Sequence, residues 1–225
     1  MIRVQEDFQN RINEIEGYFA FVGNIADGDI LLIKKTEDFV PAYSSQEQGD
    51  LIRTFKATAF LLLYNLMEST VSNAVEAIFD ELSIQNISFD SCRHEIRSVV
   101  LGNLKQHNVT DILPVLNHLS IDVVAKTFRK SKIVSGNVDA RKIMEVANEY
   151  GFAQPSADGA SLLTIKSSRN DLAHGSKSFA EVGRDYTVTE LQGMKEKVIA
   201  YLNVMLTNIA AYITQQHYLS APGRP

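Results

Sequence analysis

Residues 50–82 read DLIRTFKATAFLLLYNLMESTVSNAVEAIFDEL and include the most apolar stretch of the chain. Apolar side chains recur through this segment at helical spacing and cover a wide surface rather than one narrow stripe. They are Leu51, Phe55, Ala59, Leu62, Leu63, Leu66, Met67, Val71, Ala74, Ile78 and Phe79. A helix of this type contacts several neighbours, so the pattern predicts a central core helix. Its polar residues, among them Asn65, Glu68 and Glu76, are too numerous for a membrane-spanning segment.

Helical periodicity also dominates the rest of the chain and predicts an all-α fold, a helical bundle with additional helices. The other predicted helices cover residues 4–23, 91–105, 109–119, 121–128, 138–150, 159–173 and 189–213. The helix that ends at Tyr150 has Asn137 as its expected N-cap and Asp139 as an acid of its first turn. The last helix opens with Thr189-Glu190-Leu191-Gln192, which has capping-box spacing. Only residues 29–34 show an alternating pattern that suggests a short strand.

The segment 24–50 contains Gly28, Pro41 and Gly49 among many polar residues, which predicts a long irregular connection. Connections of this length are uncommon in compact domains and are often functional. The sequence has no internal repeat and no break in composition strong enough to divide it. We therefore expect one domain, 1–225, whose last six residues, 220–225, form a flexible tail.

The composition, 45% hydrophobic and 22% charged, is ordinary for a soluble globular protein. The single cysteine, Cys92, and the lack of an apolar signal-peptide core favour a cytoplasmic protein with no membrane segment. A net charge of -5 argues against a protein that coats nucleic acid non-specifically, so any contact with nucleic acid must be local. The basic residues at 126–132 and 93–97 could make such a contact, but a solvated helix face explains either cluster equally well. The five histidines lack zinc-type spacing, and no glycine-rich phosphate loop is present, so we expect neither a metal nor a cofactor.

On the predicted helix 159–173, a stripe of Leu162, Ile165, Arg169 and Leu172 places an arginine on the buried face. Such an arginine needs a structural ion pair, a wet cleft or a protein interface, because an uncompensated buried guanidinium costs several kcal/mol. His174 follows about 140° around the helix axis and about 7.5 Å along it, so the two side chains do not naturally meet. A helix end at Gly175 can re-aim the histidine, or a two-fold axis can gather both residues of two chains around one groove. A histidine at a helix C-terminus also interacts favourably with the helix dipole.

The heptapeptide Arg169-Asn170-Asp171-Leu172-Ala173-His174-Gly175 resembles the R-x4-H signature of HEPN-domain nucleases. Residues 135–143 (SGNVDARKI) and 178–186 (SFAEVGRDY) are similar to segments of a bacterial HEPN branch of toxin-like nucleases linked to phage defence. The run 62–69 (LLYNLMES) resembles its first core helix, so the resemblance covers about residues 55–212. It implies a helical bundle that pairs as a homodimer, places two motifs across one cleft and cuts RNA without a metal.

The resemblance also implies roles for individual residues. His174 is the expected base that takes the proton of a ribose 2′-OH, and Arg169 the expected donor to the phosphate oxygens. Asn170 is expected to orient a phosphate or the histidine, whereas Asp171 is as well explained by an ion pair or by exposure to solvent. Asn65 and Glu68 are expected to face the motif helix, with Glu68 positioning Arg169. An exposed polar strip through Ser72 and Glu76 explains those two residues equally well.

The leading functional hypothesis is an endoribonuclease that leaves 2′,3′-cyclic phosphate ends. It would be the toxin or effector of a phage-defence or toxin-antitoxin system, restrained by an antitoxin or another regulatory protein. The alternative is a non-catalytic helical module that binds a nucleotide, RNA or a partner protein through the same cleft. A third hypothesis makes the motif an ion-paired dimer interface, whose mutants would dissociate or melt early.

Overall fold

The computed structural model of the protein describes residues 1–33, 41–104, 128, 130, 133 and 137–220. Within these residues the chain forms seven α-helices and no strand, which confirms the predicted all-α fold. The helices are α1 (Ile2–Asp27), α2 (Ser45–Ile84), α3 (His94–Leu104), α4 (Ala140–Tyr150), α5 (Ala160–Ala173), α6 (Phe179–Arg184) and α7 (Val188–Thr214). A 3-10 turn, Phe89–Ser91, precedes α3.

Some predictions concern residues outside the described ranges. The helices expected at 109–119 and 121–128 lie there, apart from Phe128, and so does the tail after Ser220. The strand expected at 29–34 is wrong for its described part, because Ile33 makes only an isolated bridge to Pro41.

The chain divides into two compact units. The first unit contains residues 1–6, 68–157 and 200–225, and the second contains residues 7–67 and 158–199. Helices α1, α2 and α7 each contribute residues to both units, because the boundaries fall inside them.

Helices α1, α2, α5, α6 and α7 supply the apolar core of the second unit. Their buried side chains include Ile12, Ile15, Phe19, Val22, Phe60, Leu63, Leu162, Ile165, Val182, Leu191 and Val198. A buried charge is paired within this core. The Lys195 ammonium of α7 lies 2.5 Å from a carboxylate oxygen of Glu16 and 5.3 Å from the ring centroid of Phe19, so it is compensated.

In the first unit, α3 packs against α4. Arg93, directly before α3, links the start of this helix to the end of α4. Its guanidinium donates to the carbonyl of Gly151 at 2.7 Å and pairs with Glu95 at 2.7 Å. The hydrogen bond from Arg93 holds the pKa of the Glu95 carboxyl below its usual range. Arg93 is therefore a structural residue, and the interpretation of residues 93–97 as a solvated basic face is wrong at this position.

Short capping sequences decide where several helices begin. Ser44 and Glu47 form a reciprocal capping box, with Ser44 N donating to Glu47 Oε2 at 2.8 Å, so α2 starts five residues before the predicted Asp50. The box of α7 joins Thr187 to Glu190, which corrects the predicted pairing of Thr189 with Gln192. Each box satisfies backbone N–H groups that a helix start leaves without partners.

Three further helix ends show which residue starts or terminates a helix. Asp139, rather than the predicted Asn137, is the N-cap of α4, because its carboxylate accepts from Lys142 N at 2.8 Å. Gly28, with φ +82°, follows the end of α1, so the irregular segment predicted at 24–50 is shortened from both sides. Gly151, with φ +80°, ends α4 as predicted.

By length and composition alone, one described helix, α7, could cross a membrane, although core helices of soluble proteins pass the same test. Several of its apolar side chains are buried inside the protein: Leu191, Val198, Tyr201, Leu202, Met205, Ile209 and Tyr212.

Candidate functional site

Helix α5 carries the arginine and the histidine of the motif and belongs to the second unit. Its first turn is stabilised by Asp158, whose carboxylate accepts from Ala160 N at 3.0 Å. Leu162 and Ile165 are fully buried, as the stripe predicts, whereas Arg169 is only partly buried. The core contacts of the first two turns therefore anchor the helix, and its last turn emerges toward solvent.

A Schellman motif ends this helix. Gly175 adopts φ +68°, its N–H donates to Leu172 O at 3.3 Å, and Ser176 N donates to Asp171 O at 2.9 Å. The predicted helix end at Gly175 is confirmed. These two hydrogen bonds hold the backbone of the intervening His174, which is the C-cap residue with φ −91° and ψ −2°.

Among the described residues of the second unit, the guanidinium of Arg169 contacts Tyr64 and Asn170. Its central carbon lies 4.5 Å from the ring centroid of Tyr64, and Nη1 donates to Asn170 Oδ1 at 3.1 Å. Tyr64 is completely buried in α2, so the ring is a fixed surface. No carboxylate among the described residues of the second unit forms an ion pair with Arg169. Within the second unit, the cation is therefore held by an aromatic ring and an amide rather than by a carboxylate.

The side chain of His174 is exposed and makes no hydrogen bond or ion pair to the described residues. The backbone that carries it is held, while its imidazole is open to solvent. This combination suits a group that must meet an external ligand.

Asp171 connects the end of α5 to the segment that follows it. Its carboxylate lies 3.3 Å from the Lys177 ammonium, and its carbonyl accepts from Lys177 N at 3.4 Å. One residue later, Ser178 and Glu181 form the capping box of α6, and the hydrogen bond from Ser178 N holds the pKa of the Glu181 carboxyl below its usual range. Of the two alternatives for Asp171, an ion pair or exposure to solvent, the contact with Lys177 corresponds to the ion pair.

The two supporting residues expected on α2, Asn65 and Glu68, belong to different units. Asn65 is exposed and lines an open cleft of 290 Å³ between α1 and α2, together with Arg11, Glu14 and Tyr18. Glu68 belongs to the first unit, so its contact with Arg169 stays a prediction. Ser72 is buried, which removes it from the alternative of an exposed polar strip.

Tyr64 is the residue that sequence reasoning missed. A tyrosine within LLLYNLM is typical of a core residue, and nothing local links it to a motif far along the chain. The available signal was the arginine on the buried stripe of α5, because a buried guanidinium needs an aromatic face or an acceptor.

A metal centre is not formed by the described side chains: no group of three histidine, cysteine, aspartate or glutamate residues among them is arranged to hold an ion. His107 and His118 lie outside the described ranges.

Comparison with protein families identifies the relationship that the motif suggested. The model of the HEPN_MAE_28990-like HEPN family matches residues 3–218, nearly the whole chain. The chain belongs to this HEPN family. It is therefore an all-α HEPN protein, and this membership indicates a nuclease-like or RNA-related module. Neither a curated protein nor a solved structure matches the chain.

Proposed function

We propose that this HEPN protein is a metal-independent endoribonuclease whose active site contains Arg169, Asn170 and His174. The observation that carries the proposal is the end of α5. There a guanidinium that contacts an aromatic ring and an amide, and an exposed imidazole, occupy the two ends of an R-x4-H motif in a member of the HEPN family.

The reaction that suits these groups is transesterification at a ribose. The imidazole of His174 takes the proton of the 2′-OH, the 2′-oxygen bonds to the adjacent phosphorus, and the bond from phosphorus to the 5′-oxygen breaks. Water returns a proton to the leaving 5′-oxygen. Negative charge gathers on the non-bridging oxygens, where the planar guanidinium of Arg169 supplies paired donors. The products are a 2′,3′-cyclic phosphate and a 5′-hydroxyl end.

Asn170 acts in this proposal by holding the arginine. Its side-chain oxygen accepts from Nη1 of Arg169, which leaves the amide nitrogen of Asn170 as a donor for a phosphate oxygen. Asp171 stabilises the helix end through Lys177 and does not take part in proton transfer.

A homodimer completes the proposed site. Leu163, Ser167, Asn170 and His174 follow one another at intervals of four, three and four residues, so they share one face of α5. Leu163 is 54% exposed, so this face offers an apolar side chain that a second copy could cover. A second copy that covers Leu163 would also bring two His174 side chains to a common groove.

Leu163→Glu is expected to shift the protein from dimer to monomer and to lower RNA cleavage, because it buries a charge in the proposed interface. Sedimentation velocity at several concentrations measures the first effect, and cleavage of labelled RNA the second. The matched control is Leu101→Glu on α3, another leucine that is 50% exposed. Equal behaviour of the two variants, or a wild-type protein that is monomeric, would argue against the shared site.

We propose further that the enzyme is a toxin or effector in a phage-defence or toxin-antitoxin system. A ribonuclease without restraint would damage its host, so an antitoxin or another regulatory protein is part of this proposal. The net charge of -5 is more consistent with an enzyme that selects particular RNA molecules than with an enzyme that binds any RNA.

The decisive test of the activity is to incubate the purified protein with RNA in EDTA and to analyse the new ends. We expect 2′,3′-cyclic phosphate and 5′-hydroxyl ends, which disappear with Arg169→Ala and with His174→Ala. RNA that is bound but stays intact would identify the protein instead as a non-catalytic binding module. Cleavage that needs a divalent metal would also overturn the mechanism.

A further inference from the structure

We infer that Tyr64 is a positioning residue for Arg169. It would act by fixing the plane of the guanidinium against its aromatic ring, so that the free edge of the guanidinium points toward the ligand. This inference rests on the proposed ribonuclease function for its catalytic consequence, but the contact itself has an independent readout.

The geometry supports a specific contact rather than general packing. The guanidinium carbon lies 4.5 Å from the ring centroid, within the distance at which a cation is attracted by an aromatic face. The ring is completely buried, so it cannot swing away, whereas the guanidinium is only partly buried. Tyr64 thus provides a rigid surface for one face of a flexible side chain.

The two partners of Arg169 restrain different parts of the group. The ring of Tyr64 lies under the central carbon of the guanidinium, and Asn170 accepts a hydrogen bond from Nη1. Neither partner carries a negative charge. An aspartate or glutamate in their place would compete with a phosphate for the same donors, whereas a ring and an amide add no negative charge beside the guanidinium.

Positioning of this kind predicts an effect on kcat rather than on binding. The long-range attraction between RNA and the charge of Arg169 does not depend on the orientation of the guanidinium plane. Hydrogen bonds from the guanidinium to the phosphate oxygens of the transition state do depend on it. Weakening the attraction between the ring and Arg169 should therefore lower kcat about tenfold. The KM and the pH dependence of cleavage, which reflects proton transfer, should change little.

The test compares Tyr64→Phe with replacement of Tyr64 by pentafluorophenylalanine in the full-length protein. The two rings have similar shapes, so both proteins should fold, but fluorination removes the negative face that attracts the cation. We expect Tyr64→Phe to retain kcat close to that of Tyr64 and the fluorinated protein to lose about tenfold. The matched control compares the native Phe60 with pentafluorophenylalanine at position 60. Phe60 is equally buried in α2, but its ring contacts Tyr186. Equal kcat values for the two rings at position 64, or an equal loss at position 60, would overturn the inference.

A second measurement separates this inference from the proposed function. The ring current of Tyr64 should shift the side-chain NMR signals of Arg169 upfield, and Tyr64→Leu should abolish that shift. If the wild-type protein cuts no RNA, the proposed function fails, and the NMR shift alone then decides whether Tyr64 positions Arg169. Arg169 signals unaffected by Tyr64→Leu would overturn the inference in either case.

Discussion

Replacing His174 by alanine is expected to lower the rate of RNA cleavage roughly 10²–10⁴-fold, the contribution of a positioned general base. The side chain is exposed and makes no hydrogen bond to the described residues, so its removal should leave the melting temperature unchanged. Single-turnover cleavage of a labelled RNA measures the rate, and thermal denaturation followed by circular dichroism measures stability. Arg169→Ala is expected to lose a comparable roughly 10²–10³-fold by removing donors to the transition state.

His94 offers the matched control for this prediction. It is also exposed, and it lies at the start of α3 outside the motif, so His94→Ala should retain full activity. A His174→Ala protein that cleaves at the wild-type rate would exclude the proposed base. A protein that loses activity together with its cooperative melting would point to a structural role for His174.

Gly183→Ala is expected to be the most destabilising small substitution in the second unit. A Cβ at this position would lie 1.8 Å from the carbonyl oxygen of Arg53 and 2.5 Å from its carbonyl carbon. Both are backbone atoms of α2, so no side chain can rotate to relieve the overlap, and α6 must move away from α2. We expect a loss of about 3 kcal/mol in the free energy of unfolding, at the upper end for overpacking. Guanidinium denaturation measures it.

Gly193 in α7 is the control for Gly183. A Cβ there would meet no atom within 4 Å, and the position lies inside a helix. Gly193→Ala should therefore stabilise the protein by roughly 0.5–1 kcal/mol, because alanine favours the helical backbone. Two variants of equal stability would contradict the close approach of α6 to Arg53.

Helical periodicity was sufficient to predict the fold class, because buried side chains at three- and four-residue intervals are a local property of the sequence. Helix starts were predicted less well. The start of α2 was placed at the first apolar residues, although Ser44 and Glu47 already supplied the capping pair. Near α7, two overlapping segments matched the capping pattern, and the one that starts at Thr187 forms the box.

The motif residues were recognisable because they lie within one turn and a half of a single helix. Tyr64 was not, since the contact between its ring and Arg169 joins two helices and depends on tertiary packing. The hydrogen bond from Arg169 to Asn170 is a contact that the sequence did not predict, and the expected action of Asn170 on a phosphate or on the histidine stays a prediction. The catalytic roles themselves remain predictions.

The way α5 ends sets the allowed spacing of the motif. The N–H groups of Ser176 and Gly175 donate to the carbonyl oxygens of Asp171 and Leu172, respectively, and these hydrogen bonds end the helix. One residue inserted between Arg169 and His174 would keep the left-handed glycine as the stop but would turn the histidine about 100° relative to the arginine. The number of residues between Arg169 and His174 therefore fixes the angle between them around the helix axis. That angle determines the side of the helix from which each side chain reaches its ligand.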